Sequence, residues 1–143
     1  MIQQVYINIP VSDIAKSTAF YEAVGFTKNP DFSDEKASSM MWTDNIVIML
    51  ISHDFYKKFI RDKEIADTHT TSGALISLTL ESKEAVQEFA DTAKANGGDF
   101  YKVDVGAPEE MMFGYEVTDP DGNILEPVWM NPNFNPSSPE QTF

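Results

Sequence analysis

IPVSDIAKSTAFYEAVGF, residues 9–26, has a counterpart later in the chain in SKEAVQEFADTAKANGG, residues 82–98. In the first stretch Asp13 can cap a helix and Phe20 lies seven residues on; in the second Ser82 can cap and Phe89 again lies seven residues on. Short oxygen-bearing side chains serve as caps because they accept hydrogen bonds from the free N–H groups of the first turn. A β-type run precedes each cap, Val5–Ile9 and Ala74–Leu80. Later in each half a turn feeds another apolar run, Asp44-Asn45 into Ile46–Ile51 and Asp121-Gly122 into Ile124–Trp129. One β-α-β-β-β order read twice predicts paired modules. They cover about residues 1–60 and about 72–130, joined by a linker over residues 61–72.

Between these landmarks the remaining elements follow. Pro10 ends the first strand, and Ile14, Phe20, Tyr21 and Val24 give the first helix an apolar stripe that Gly25 stops. Phe26–Phe32 reads as a strand weakened by Pro30, and Ala37–Thr43 with Ile46–Ile51 as a hairpin. His53–Ile60 reads as a short helix. In the second half the helix covers Lys83–Asn96 and ends at Gly97-Gly98, and Phe100–Val105 and Met111–Thr118 read as strands. Asn131–Phe143, with three prolines and three asparagines, reads as a tail.

The chain has 143 residues, enough for one compact domain, whereas a half of roughly 60 residues buries too little surface to be stable alone. The halves are therefore expected to pack on each other or on a second copy. The net charge of −13 repels phosphate backbones and anionic membranes, so neither nucleic acid nor a membrane is an expected partner. With no cysteine there is no disulfide, thiolate metal site or cysteine nucleophile. No signal-peptide pattern opens the sequence and no apolar run reaches bilayer length, which leads to the expectation of a cytoplasmic protein.

The residue 9–26 stretch resembles the opening of the vicinal oxygen chelate superfamily, which includes glyoxalase I, bleomycin-resistance proteins and extradiol dioxygenases. Thr118-Asp119-Pro120-Asp121-Gly122-Asn123-Ile124-Leu125-Glu126 resembles its closing segment. The resemblance spans roughly residues 1–130 and implies an α+β fold of paired β-α-β-β-β modules whose sheets curve into an open cup. It also implies a homodimer and a small-molecule ligand within the cup. In metal-bearing relatives the first and fourth strands of each module supply the ligands, which here places Tyr6, Met49, Leu75 and Glu126 at the four positions. Leucine has no donor and a thioether is soft, so no metal and no cofactor is expected there; a divalent metal with relocated ligands, such as Tyr6, His53 and Glu126, is the alternative.

Glu126 is the catalytic candidate. An unpaired carboxylate among apolar cup residues is costly unless a donor compensates it, and its neighbours by strand alternation are Ile124 and Val128, with Met49 expected nearby across the pseudo-twofold axis. It could act as a base or as an acceptor for a cationic or hydroxylic ligand. Tyr6, Asn8, Met49 and Ser77 are expected to line the cup, and Met111, Met112, Phe113, Tyr115 and Trp129 to form its apolar wall. The same methionines and aromatics, and Met40 and Trp42, also suit an ordinary core. His53 is a rim candidate, or a surface histidine at a helix start. Three functions follow: a metal-free binding protein, a divalent-metal lyase or dioxygenase, and a metal-free isomerase with Glu126 as base.

Overall fold

The computed structural model describes residues 3–133. In the first module β1 (Val5–Val11) runs parallel to β4 (Ile46–Ser52), which pairs antiparallel with β3 (Ala37–Thr43), itself paired with the two-residue β2 (Thr27–Lys28). The helix α1 (Ile14–Ala23) makes the connection between β1 and β2, and α2 (His53–Lys57) follows β4. The second module repeats the plan. β5 (Leu75–Thr79) leads into α3 (Lys83–Ala95), then β6 (Asp99–Tyr101), β7 (Met112–Gly114), β8 (Glu116–Thr118) and β9 (Ile124–Met130). The sheets have strand orders β1-β4-β3-β2 and β5-β9-β8-β6, with β7 also on β9. This is the expected α+β architecture, with two open sheets. The caps hold as well: Asp13 accepts from the Lys16 N–H at 3.0 Å and Ser82 from the Ala85 N–H at 3.0 Å.

The repeat is visible in the register. Tyr6 pairs with Val47 and Asn8 with Met49 in one module; Leu75 pairs with Ile124 and Ser77 with Glu126 in the other. Parallel partners share a face, so these pairs are equivalent rows of the two sheets.

Several element boundaries differ from the sequence reading. The first strand does not end at Pro10 but runs on to Val11, since β1 is an edge strand where proline's missing N–H costs no ladder bond. The strand expected over Phe26–Phe32 stops at Lys28, because Asn29 caps a 3₁₀ turn over Pro30–Phe32 with proline at its start. The helix expected to reach Ile60 ends at Lys57. The strand expected over Phe100–Val105 stops at Tyr101, and Lys102 instead reaches the Gly114 carbonyl through its side chain at 2.7 Å. The strand expected over Met111–Thr118 divides at Tyr115. The residue facing it on β9 is Pro127, which has no N–H to give, and only a 3.3 Å bond from the Tyr115 N–H to the Pro127 carbonyl remains. The tail expected over Asn131–Phe143 lies almost wholly outside the described residues.

The modules pack on each other around one shared core. Ile9, Phe20, Tyr21, Met40, Ile48 and Leu50 from the first meet Leu78, Phe89, Ala90, Val117 and Leu125 from the second. Trp42 lies between Phe26 and Phe89, with ring centroids at 5.1 and 6.2 Å, so Met40 and Trp42 serve the core. A polar lock reinforces this interface. Asp119, 3% exposed, accepts from the Tyr21 hydroxyl at 2.8 Å, from the Asp121 and Asn123 N–H groups at 2.9 Å each, and from Asn123 Nδ2 at 3.0 Å. Asp121 accepts from the Ser12 N–H at 3.0 Å and the Ser17 hydroxyl at 3.4 Å. The turn that closes the second module is thus bolted to the helix of the first. Among the described residues no helix is long and apolar enough to cross a membrane.

Candidate functional site

The chemistry-bearing row of the second sheet is Ser77 on β5, Glu126 on β9 and Glu116 on β8. Ser77 is the parallel partner of Glu126. The antiparallel register of β7 and β8 on β9 sets Glu116 directly opposite Glu126 on its other side. Alternation puts all three on the face away from the helix. The Ser77 hydroxyl donates to Glu126 Oε1 at 2.6 Å, and the Glu116 carboxyl stands on the neighbouring strand opposite Glu126. Two carboxylates on adjacent strands repel when both are ionised, which favours a proton on Glu116. Burial, and then the neighbouring carboxyl of Glu126, push Glu116 up from 4.5 to about 7.

This row floors a cavity of about 760 Å³. Thr79, Val128, Met112 and Met130 continue its walls, and the segment from Lys102 to Glu109 borders it. Lys102 is the one basic side chain on this lining.

Of the expected site residues, Glu126, Ser77 and Tyr115 meet at this cavity, as do Met112 and Val128. The Tyr115 hydroxyl is turned to Gln87 of α3, which accepts from it at 2.7 Å. Tyr6, Asn8 and Met49 belong to the other sheet and none of them lines the cavity. Met49 is therefore not the neighbour of Glu126 that the pseudo-twofold suggests; Ser77 and Glu116 are. Tyr6, 48% exposed, donates to Gln4 Oε1 at 3.2 Å. Leu75, 58% exposed, stands opposite Ile124. Phe113 and Trp129 lie beneath Lys83 of α3, whose ammonium is 5.9 and 5.5 Å from their ring centroids, and Met111 is buried. His53 lines a separate groove with Arg61, Asp62 and Lys63, far in the chain from Glu126 and sharing no lining residue with its cavity.

Glu116 is the residue that sequence reasoning missed. Its signal was available: the tight turn closed by the Asp119 N–H on the Asn123 carbonyl fixes the hairpin register, and counting outward from it pairs 116 with 126.

The carboxyl pair has a consequence for stability. A carboxyl whose folded pKa lies above its ordinary value favours the fold in its protonated form, so its contribution is complete below about 4.5 and is lost as pH rises through about 7. Asp119 is raised too, chiefly by burial, with the same sign. We expect the melting temperature to rise from mildly alkaline to mildly acidic pH, and to rise less in Glu116→Gln, which exchanges no proton. An identical rise in both proteins would assign the effect to relief of the net charge of −13 alone.

Comparison with known proteins gives a consistent picture. The sequence model of the Glyoxalase/Bleomycin resistance protein/Dioxygenase superfamily matches residues 3–126. A glyoxalase/bleomycin resistance protein/dioxygenase family enzyme from Burkholderia phytofirmans PsJN is similar in structure, with a TM-score of 0.72 at 22% identity over 87% of this chain and 96% of that one. A hypothetical protein from S. aureus gives 0.71 at 24% identity over 90% and 95%. A glyoxalase-related enzyme from Fulvimarina pelagi gives 0.69 at 20% identity over 99% and 96%. At such identities the likeness is one of fold. Among proteins of curated function, none matches the chain significantly.

Proposed function

Because the chain belongs to the glyoxalase/bleomycin resistance protein/dioxygenase superfamily, we propose that it binds a small organic molecule in the cup of its second module without a metal at the inherited positions. The observation that carries this reading is the 760 Å³ cavity with the Ser77–Glu126–Glu116 row at its floor and mixed apolar walls above. Such a combination, a few convergent polar groups in a largely apolar concavity, suits small ligands.

The metal of the metal-bearing relatives fits this donor set poorly. Leu75 has no donor, and Met49 and Tyr6 stand on the other sheet. Glu126 with Glu116 supplies two carboxylates, which would leave most of the coordination of a hard cation to water. The relocated set fares no better, since His53 and Tyr6 do not line the cavity of Glu126. Protein purified without chelator should accordingly carry no stoichiometric transition metal, and finding one would return the lyase or dioxygenase reading.

The test of the cup itself is Glu126→Gln. The exchange preserves shape but removes the charge and the carboxylate that Ser77 serves. Affinity for a ligand found by screening should fall by about tenfold or more, the worth of a charge-assisted hydrogen bond, with the melting temperature little changed. A purely structural Glu126 gives the reverse, lower stability at unchanged affinity.

One observation favours a second reading, a metal-free isomerase or epimerase acting beside a carbonyl. Glu116, raised to about 7 by burial and by its neighbour, can hold a proton near neutrality directly opposite the carboxyl of Glu126. That is the arrangement for removing a proton at Glu126 and returning it from its partner. Solvent deuterium incorporation into a bound ligand separates catalysis from binding.

The same reading includes a homodimer. β1 and β5 each end a sheet, and the exposed Val5, Tyr6 and Leu75 lie on them. Open edges invite pairing. A monomeric mass in light scattering at micromolar concentration would count against this.

A further inference from the structure

Building on the small-molecule reading of the cup, we propose that its ligand is an organic ammonium with an apolar body, the nitrogen on the Ser77–Glu126–Glu116 row and the body against Val103 and Val105. The apolar contact surface comes first. Val103 is 44% and Val105 57% exposed, two positions apart on the segment that borders the cavity, and Met130, 42% exposed, lines it as well. Exposed side chains of this kind gain from covering.

The segment that carries the two valines is held at both ends. At one end the Lys102 ammonium donates to the Gly114 carbonyl at 2.7 Å. At the other, the Pro108 carbonyl accepts from the Met111 and Met112 N–H groups, and Asn131 Nδ2 donates to the Glu110 carbonyl at 2.7 Å. The valines are thus presented on an anchored strap, a preorganised surface that a ligand need not order at its own cost.

Charge complementarity then selects the occupant. Asp104, Glu109, Glu116 and Glu126 line the cavity against Lys102 alone. Lys102 is already committed: besides the Gly114 carbonyl, its ammonium sits 4.1 and 5.0 Å from the ring centroids of Phe113 and Tyr115. Among the described residues the one ion pair, Lys94 with Asp99, is not among the cavity's lining residues. Even with a proton shared between Glu116 and Glu126, the floor keeps a negative charge without a countercharge. An anionic ligand would meet that charge in a partly desolvated site, at considerable cost. A neutral alcohol can donate a single bond to a carboxylate but brings no opposite charge and no further donor. An ammonium brings three donors to a row of acceptors and a unit of opposite charge, so it adds the attraction of an ion pair to bonds an alcohol can make only singly. A bare divalent cation would satisfy the carboxylates but leave the valines uncovered.

The test uses three molecules of nearly equal size, phenethylamine, phenethyl alcohol and hydrocinnamate, titrated into the wild-type chain while amide NMR resonances are followed. The amine is expected to shift Ser77, Val103, Val105 and Glu126 saturably and to bind about tenfold or more tightly than the alcohol, with hydrocinnamate failing to saturate. In Glu126→Gln the preference for the amine over the alcohol should shrink to about threefold or less, the dispersion of the spectrum reporting that the fold is kept. Val105→Ser should weaken amine and alcohol alike, because it touches only the apolar contact. Equal binding of amine and alcohol, or tighter binding of hydrocinnamate, at these residues would overturn the charge assignment and leave the cup intact as a binding site. Shifts from none of the three at these residues would overturn both this assignment and the small-molecule reading beneath it.

Discussion

Asp119→Ala is expected to destabilise the fold by about 3–5 kcal/mol, read from urea unfolding monitored at Trp42, because it strands several buried donors at once. The Tyr21 hydroxyl, 0% exposed, would lose its acceptor, and so would the N–H groups of Asp121 and Asn123. An unsatisfied buried donor costs about 1–3 kcal/mol, and neighbouring groups share part of that cost by relaxing, so the sum is less than the number of bonds suggests. The carboxylate is not comfortable where it is: burial raises its pKa, while the bonds from Asn123 and Tyr21 pull it back. Removing the charge alone should therefore cost much less than removing the acceptor. Asp119→Asn keeps one carbonyl oxygen for Tyr21 or the turn and is expected to cost about 1–2 kcal/mol. A loss below about 1 kcal/mol in Asp119→Ala would show that water replaces the lost acceptor, and that the two modules are held by their apolar core rather than by this lock.

The lock also shows what the sequence conveyed and what it withheld. Asp119-Pro120-Asp121-Gly122 was legible as a turn, since proline presets one dihedral and glycine tolerates the positive φ of +87° at Gly122. That its two aspartates face the other module was not legible, because their partners Tyr21, Ser12 and Ser17 lie about a hundred residues away and obey no local period. The repeat was legible because helix caps and hairpin turns act over three or four residues, and Asp13 and Ser82 occupy the same place in both halves. The same reasoning made Tyr6 equivalent to Leu75 and Met49 to Glu126, and the registers display it: Met49 pairs with Asn8 as Glu126 does with Ser77.

The step from module to site was less legible. Placing Tyr6, Asn8 and Met49 in one cup with Glu126 left open whether the shared space lies within one chain or between two copies. In the chain itself the α1 and α3 sides share the core, and the cavity of Glu126 is built from the second module only. The division of the last hairpin at Tyr115 escaped for a different reason: Pro127 was read as part of its own strand, and its effect falls on the strand opposite.

The glycine pair after α3 separates a local role from a tertiary one, and Gly98→Ala is expected to be the costlier of its two alanine substitutions. From the sequence, Gly97-Gly98 is a helix stop. Gly97 does that work, with φ of +96° just past the Asn96 cap, and an alanine there meets Lys16 and Pro120 side chains at no less than 3.6 Å. Gly97→Ala should thus cost only the backbone strain of a left-handed alanine, about 1–2 kcal/mol. Gly98 has no such φ, but a methyl group on it would be driven into the Thr118 carbonyl of β8 and to 2.8 Å from the Phe20 ring of the other module. Phe20 is 0% exposed and packed edge-on against Tyr21 at 5.2 Å, so it cannot swing away. Relief would have to come from moving α3 off β8, at the cost of the core both modules share, and overpacking of this kind costs about 1–3 kcal/mol or more. Because the clash is with backbone on one side and a buried ring on the other, we expect a loss of at least about 3 kcal/mol for Gly98→Ala. Denaturant midpoints of the two variants decide the order. If Gly97→Ala proved the more damaging, the pair would be a helix stop and nothing else, and the approach of Phe20 to the end of α3 would be no constraint on how the modules meet.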